Sequence, residues 1–118
     1  MFEIYYYRTT EGKCPVEEYL EELSDRQAEK VLWTLRLVRN LNPVPSQYLQ
    51  KMAGPHDLWE VRISHAGNIF RVLGFVPDGK RMVLLHGFTK KTQKTPLQEL
   101  ATAVNRKKDY EDREKRKN

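Results

Sequence analysis

The sequence predicts an α+β fold, with helices laid on one face of a small, twisted, antiparallel sheet. Three observations predict it. Apolar residues recur at helical spacing between Val16 and Val38. At Leu58 the period drops from about 3.6 to 2. Beyond it, short turns separate three strand-like runs, which leaves room only for a meander. The predicted order is strand, two helices, three strands and a final helix.

Residues 2–7 are aromatic and β-branched and suit a strand, with Phe2, Ile4 and Tyr6 on one side. Glu11-Gly12-Lys13 breaks it. Pro15 suits the first position of a helix, where its missing N–H leaves nothing unpaired. Val16, Tyr19, Leu20 and Leu23 then form one stripe, with the acids between them facing water. Ser24-Asp25-Arg26-Gln27 has the form of a capping box, so a second helix starts there. Ala28, Val31, Leu32, Leu35 and Val38 make its buried stripe, while Trp33 and Leu37, off that stripe, read as a second buried edge or a partner site. Pro43 and Pro45 exclude further helix. Joined so tightly, the two helices are expected to form an antiparallel hairpin.

In the run 58–64, Trp59, Val61 and Ile63 take one face, Glu60 and Arg62 the other. His65-Ala66-Gly67-Asn68 is a turn, residues 69–76 the return strand, Pro77-Asp78-Gly79-Lys80 a second turn and residues 81–90 a third strand. Thr95-Pro96-Leu97-Gln98 offers a capping threonine, a proline at the first helical position and a glutamine to close the box. Leu97, Leu100, Ala101 and Val104 supply the stripe of that last helix. It is expected to end at the charged stretch 105–118, with 111–118 a polar tail that is either helix running on into solvent or a flexible arm.

The 118 residues have length for one domain, 1–118. With 39% hydrophobic and 31% charged residues the composition is globular. The longest aliphatic run, Met82 to Leu85, falls far short of a membrane span, and no secretory signal opens the chain, so the expected location is the cytoplasm. Cys14 has no partner for an internal disulfide, and His56, His65 and His86 lack the spacing of a zinc site. The net charge of +5 is unevenly spread: eight acids against four bases through Lys30 give −4, which leaves +9 for the remainder. A strongly basic back half suits a polyanion, most simply nucleic acid, as well as a merely solvated surface.

Chemistry gathers on the strands. Glu60 and Arg62 project from one face, Arg71 interrupts the apolar middle of the next strand, and His86, Phe88 and Lys90 share a face of the third. Lys91 and Lys94 carry the positive charge into the following loop. A charge placed as Arg71 is costs free energy unless the face is wet or binds an anion. Together these groups match what RNA cleavage needs: arginines on the scissile phosphate, a base for the 2′-hydroxyl and an acid for the leaving oxygen, and a ring on which a splayed base stacks. That route requires no metal and no cofactor. Taken singly, each member has a plainer reading: Glu60 and Arg62 as a cross-strand pair, His86 as a hydrogen-bonded histidine, Phe88 as core.

The stretches Leu58-Trp59-Glu60-Val61-Arg62-Ile63, Phe70-Arg71-Val72-Leu73 and, most specifically, His86-Gly87-Phe88-Thr89-Lys90-Lys91-Thr92-Gln93-Lys94-Thr95-Pro96 resemble the phage-derived, HigB-type branch of the RelE/ParE toxin superfamily. The resemblance covers most of the chain. It implies the RelE-like fold and the toxin half of a bacterial type II toxin–antitoxin pair: an endoribonuclease that cuts mRNA in the ribosomal A site without metal, bound in the ribosome against rRNA and neutralised by a HigA-like helix-turn-helix antitoxin. An acidic antitoxin segment is expected over the Arg62, Arg71 and Lys90 face, or else on the helical hairpin. By position, Arg62 and Arg71 match the residues on the scissile phosphate, and Lys90 and Lys91 the basic strand end beside it. No catalytic tyrosine ends the chain after Tyr110, so proton transfer falls to His86 or Glu60. The superfamily also holds ParE-like gyrase inhibitors that cut nothing, and a basic RNA-binding module is the other non-enzymatic alternative.

Overall fold

A computed structural model describes residues 2–90 and 95–117. Among these residues the chain forms β1 (Glu3–Tyr6), α1 (Pro15–Glu22), α2 (Asp25–Asn40), β2 (Leu49–Lys51), β3 (Trp59–His65), β4 (Asn68–Phe75), β5 (Arg81–Lys90) and α3 (Leu97–Arg116). The strands make one sheet in the order β1-β5-β4-β3-β2, an α+β architecture consistent with the RelE-like fold. The meander over β3, β4 and β5 is antiparallel. The sheet as a whole is mixed, because β1 pairs with β5 in parallel, from Glu3 opposite Arg81 to Tyr6 opposite Leu84. The short β2 was not foreseen. Its three residues pair with Trp59 to Val61 and are too few to show a period.

The helix starts follow local chemistry. Pro15 opens α1. At α2 the capping box is complete: the Gln27 N–H donates to Ser24 Oγ at 3.2 Å, and the Ser24 N–H to Gln27 Oε1 at 3.1 Å. In the 77–80 turn, Asp78 accepts from the backbone N–H of Lys80 and Arg81 and from Arg81 Nε, which pushes its pKa down to about 2. The start of α3 departs from expectation. Pro96 is its N-cap and no side chain caps it, because the Thr95 hydroxyl donates to Glu60 Oε2 at 3.3 Å instead.

Helices cover both faces of the sheet, rather than the one face expected. α1 and α2 bury Val16, Tyr19, Val31, Leu35 and Val38 against Val61, Ile63, Phe70, Val72, Met82 and Leu84. On the other face, Leu58, Leu73, Phe75, Val83 and Leu85 pack under Leu100, Ala103, Val104 and Tyr110 of α3. The physical reason is in β4 and β5, whose apolar residues do not alternate with polar ones, so that both of their faces need cover. α3 keeps part of its expected stripe: Leu100 and Val104 pack against the sheet, while Ala101 stays exposed. Leu97 is 82% exposed and Ala103 fully buried, and the docking is largely polar: Tyr7 donates to Asp109 at 2.7 Å, Arg81 to Tyr110 at 3.0 Å, and Arg113 to the Arg8 carbonyl. Held in this way, the helix runs through the stretch read as its end and stops only at Arg116.

One irregularity in β5 positions the site. Leu73 pairs with His86 but Gly74 pairs with Leu84, so Leu85 is an extra residue, a bulge. Before it, Met82 and Leu84 face α1 and α2. After it, Gly87 takes that face, and His86, Phe88 and Lys90 turn to the α3 side. Gly87 lies beneath Tyr19, where an added Cβ would stand 2.4 Å from the ring. We expect Gly87→Ala to cost about 1–3 kcal/mol by displacing Tyr19, read by urea denaturation; a loss below about 0.5 kcal/mol would mean that the ring moves freely.

Candidate functional site

On the α3 side of the sheet, the registers build three rows: Glu60, Leu73 and His86; Arg62, Arg71 and Phe88; Ser64, Ile69 and Lys90. Arg62 and Arg71 are therefore directly opposite, an arrangement that repels unless an anion intervenes. Glu60 intervenes. Its Oε1 lies 3.5 Å from the Nε of both arginines. Arg71 is buried; its Nη1 donates to the Phe70 carbonyl at 3.0 Å, while its Nε has no hydrogen-bond partner. Burial pushes the Arg71 guanidinium down from its ordinary value, Glu60 pulls it back up and Arg62 pushes it further down. Lys90 is buried beside them. Its ammonium is pushed down by desolvation, raised by Glu60 and lowered by Arg71 and Arg62. Three cations thus share one carboxylate. Arg62 is the open member, its side chain 35% exposed against 7% for Arg71.

His86 belongs to a second cluster. Its Nδ1 lies 2.9 Å from Arg106 Nη1, which can only donate, so Nδ1 is the acceptor. Nε2, 3.0 Å from Glu99 Oε1, then carries the proton. The ring is the neutral Nε2–H form, and neither nitrogen is open to a substrate. Burial lowers its pKa most, Glu99 raises it and Arg106 lowers it. Arg106 also donates to the Leu85 carbonyl at 2.9 Å, which ties α3 to the bulge.

The match to known families runs across both clusters. The profile described as "Phage derived protein Gp49-like (DUF891)" matches residues 18–108. The chain belongs to the Gp49-like family. That family is phage-derived and associated with RelE-type and toxin-like proteins, which also gives a Gp49-like chain the expectation of an antitoxin partner. The match spans α1 to most of α3 and so includes Glu60, Arg62, Arg71, His86, Lys90, Glu99 and Arg106. A search of curated proteins returned no match.

In this Gp49-like chain the structure brings Glu60, Arg62, Arg71 and Lys90 together, with His86 on the same face. Phe88 corrects the reading of a ring free to stack RNA bases: it is buried, and its ring lies 5.6 Å from that of His86, nearly parallel at 22°. The α3 helix covers the place where a base would lie. Lys91 and Lys94, expected to bind RNA, fall outside the described residues. Thr95, Glu99 and Arg106 were missed; the last two sit seven apart on α3 and read singly as solvated charges. Among the described residues no three His, Cys, Asp or Glu side chains could hold a metal ion together. None of the helices described is long and apolar enough to cross a membrane.

The His86 cluster predicts a pH dependence. An unfolded histidine takes up a proton near its ordinary pKa of 6.5, whereas buried His86 does so only at lower pH. Its contribution to stability is therefore whole above about 6.5 and is lost as the pH falls from there toward the lower, folded-state value. Denaturant midpoints between pH 8 and 5.5 should fall more steeply for the native chain than for His86→Gln; equal slopes would show that His86 titrates alike in both states.

Proposed function

We propose that this Gp49-like chain is a HigB-type toxin of a type II toxin–antitoxin pair, and that it cleaves mRNA in the ribosomal A site as an endoribonuclease needing no metal. A HigA-like helix-turn-helix antitoxin is its partner. One observation carries the reading: Arg62, Arg71 and Lys90 crowd around the single carboxylate of Glu60, a surplus of positive charge at a half-buried place that a phosphate diester would balance.

The chemistry follows from those four residues. Arg62, the exposed member, meets the scissile phosphate first, and the orphaned Nε of Arg71 offers it a further donor. As the guanidinium groups turn to the phosphate, Glu60 accepts the proton of the 2′-hydroxyl. The 2′-oxygen bonds to phosphorus, the bond to the 5′-oxygen breaks, and the products are a 2′,3′-cyclic phosphate and a 5′-hydroxyl. The arginines balance the charge that gathers on the phosphoryl oxygens. Lys90, whose ammonium is made more acidic by burial, supplies the proton for the leaving 5′-oxygen. His86 has both nitrogens engaged and keeps α3 against the site.

Mapping of RNA ends after induction in a bacterial host tests the reading. New ends bearing a 5′-hydroxyl within translated messages are expected, and they should vanish when the neighbouring gene is expressed alongside. Growth arrest with intact messages would reject the nuclease; loss of supercoiling by purified gyrase under the same conditions would replace it with a gyrase inhibitor.

A further inference from the structure

Trp33 was expected to be core or a partner site, and nothing in the cleavage reading uses it. It is 39% exposed, on the outer side of α2. Arg26, Lys30, Trp33 and Arg36 fall three or four residues apart and so share one side of that helix. They line a groove together with Glu29 and His65 from the tip of β3. Lys30 Nζ stands 4.0 Å from the Trp33 ring, and the Tyr48 ring meets Trp33 edge-on at 6.1 Å. A second cavity, of about 250 Å³, continues the path: Lys30 and Tyr48 line it with Gln47, Ser64 and Arg62. Lys30 is thus common to both hollows, and Arg62 belongs both to the second hollow and to the Glu60 site.

We propose that this groove binds single-stranded RNA, and that it holds the stretch of substrate leading away from the phosphate at Arg62. The proposal rests on the cleavage reading for its direction, since Arg62 is where the two sites join. Charge favours a nucleic acid over a protein as occupant. Four cations, Arg26, Lys30, Arg36 and Arg62, line the path against the one carboxylate of Glu29. An exposed ring with an ammonium over it answers both parts of a nucleotide. The base stacks on Trp33 while Lys30 moves from the ring to the adjoining phosphate. The second hollow lies at the β2 edge of β3, where the Arg62 N–H donates to the Tyr48 carbonyl just beyond the Leu49–Val61 pair, so the path runs along that edge of the sheet.

A fluorescein-labelled 2′-O-methyl RNA 12-mer, which lacks the attacking hydroxyl, tests this by anisotropy. Trp33→Ala should weaken binding about tenfold. The Lys30→Ala, Arg36→Ala pair should flatten the slope of log affinity against log salt by about 1.4, the share of two phosphates on a single strand. In a Trp59→Phe background, RNA should quench Trp33 fluorescence, which a purely structural tryptophan would not show. Unchanged affinity in both groove variants, with binding still weakened by Arg62→Ala, would overturn the groove and leave the cleavage site standing. Indifference to Arg62→Ala as well would reject both. Unchanged RNA binding with loss of the neighbouring gene's protein would hand the groove to that protein and overturn the proposal.

Discussion

Glu60→Ala is expected to cost about 3 kcal/mol of stability, within the range seen when one member of a buried ion pair is removed. The alanine leaves Arg71 buried without its counter-ion, with Arg62 directly opposite and Lys90 close by. Thr95 loses its acceptor in the same change. The loss comes chiefly from the charges left behind, so a second substitution should return part of it. Arg71→Met fills the same space with an apolar chain, and the double variant is expected to be more stable than Glu60→Ala alone. Urea denaturation at neutral pH compares all three. A loss below about 1 kcal/mol in Glu60→Ala would show that water screens the cluster.

Arg62→Ala separates chemistry from folding. Its side chain is about a third exposed, so stability should change by less than about 0.5 kcal/mol. Cleavage on programmed ribosomes should fall by about 10²–10³, the usual loss when one preorganised donor to a developing charge is removed. Arg62→Lys should recover only part, because an ammonium holds a phosphate at one point where a guanidinium holds it at two. Cleavage at the native rate in Arg62→Ala would remove this arginine from the mechanism.

Much of the molecule was legible because its causes are local. The Ser24 to Gln27 box is complete within four residues, and the turn 65–68 sets the register that brings Arg62 opposite Arg71. What could not be read depends on distant partners. Thr95 has the spacing of a cap, but a carboxylate from β3 takes its hydroxyl. α3 has an apolar stripe through Leu97, yet only Leu100 and Val104 of it pack, together with Ala103 and Arg106, since what the helix meets is a rim of polar groups around a small apolar patch. Glu99 and Arg106 could not be told from solvated charges until His86 was known to lie beneath them. Glu60, Arg62 and Arg71 followed from the two-residue period, whereas the placing of His86 and Lys90 on their face depends on an extra residue at Leu85, opposite the step from Leu73 to Gly74.

That extra residue divides β5 into two stretches with different obligations. From Arg81 to Leu85 the strand holds the two layers of the protein together; from His86 to Lys90 it supplies the site on one side and, through Gly87, a seat for Tyr19 on the other. Structure and chemistry follow one another along the chain instead of alternating with every residue. Sequence variation in the first stretch is then felt as stability, and on the site side of the second as a change in the candidate site. In this chain the face that carries His86, Phe88 and Lys90 can therefore vary while the seam that binds its layers stays as it was.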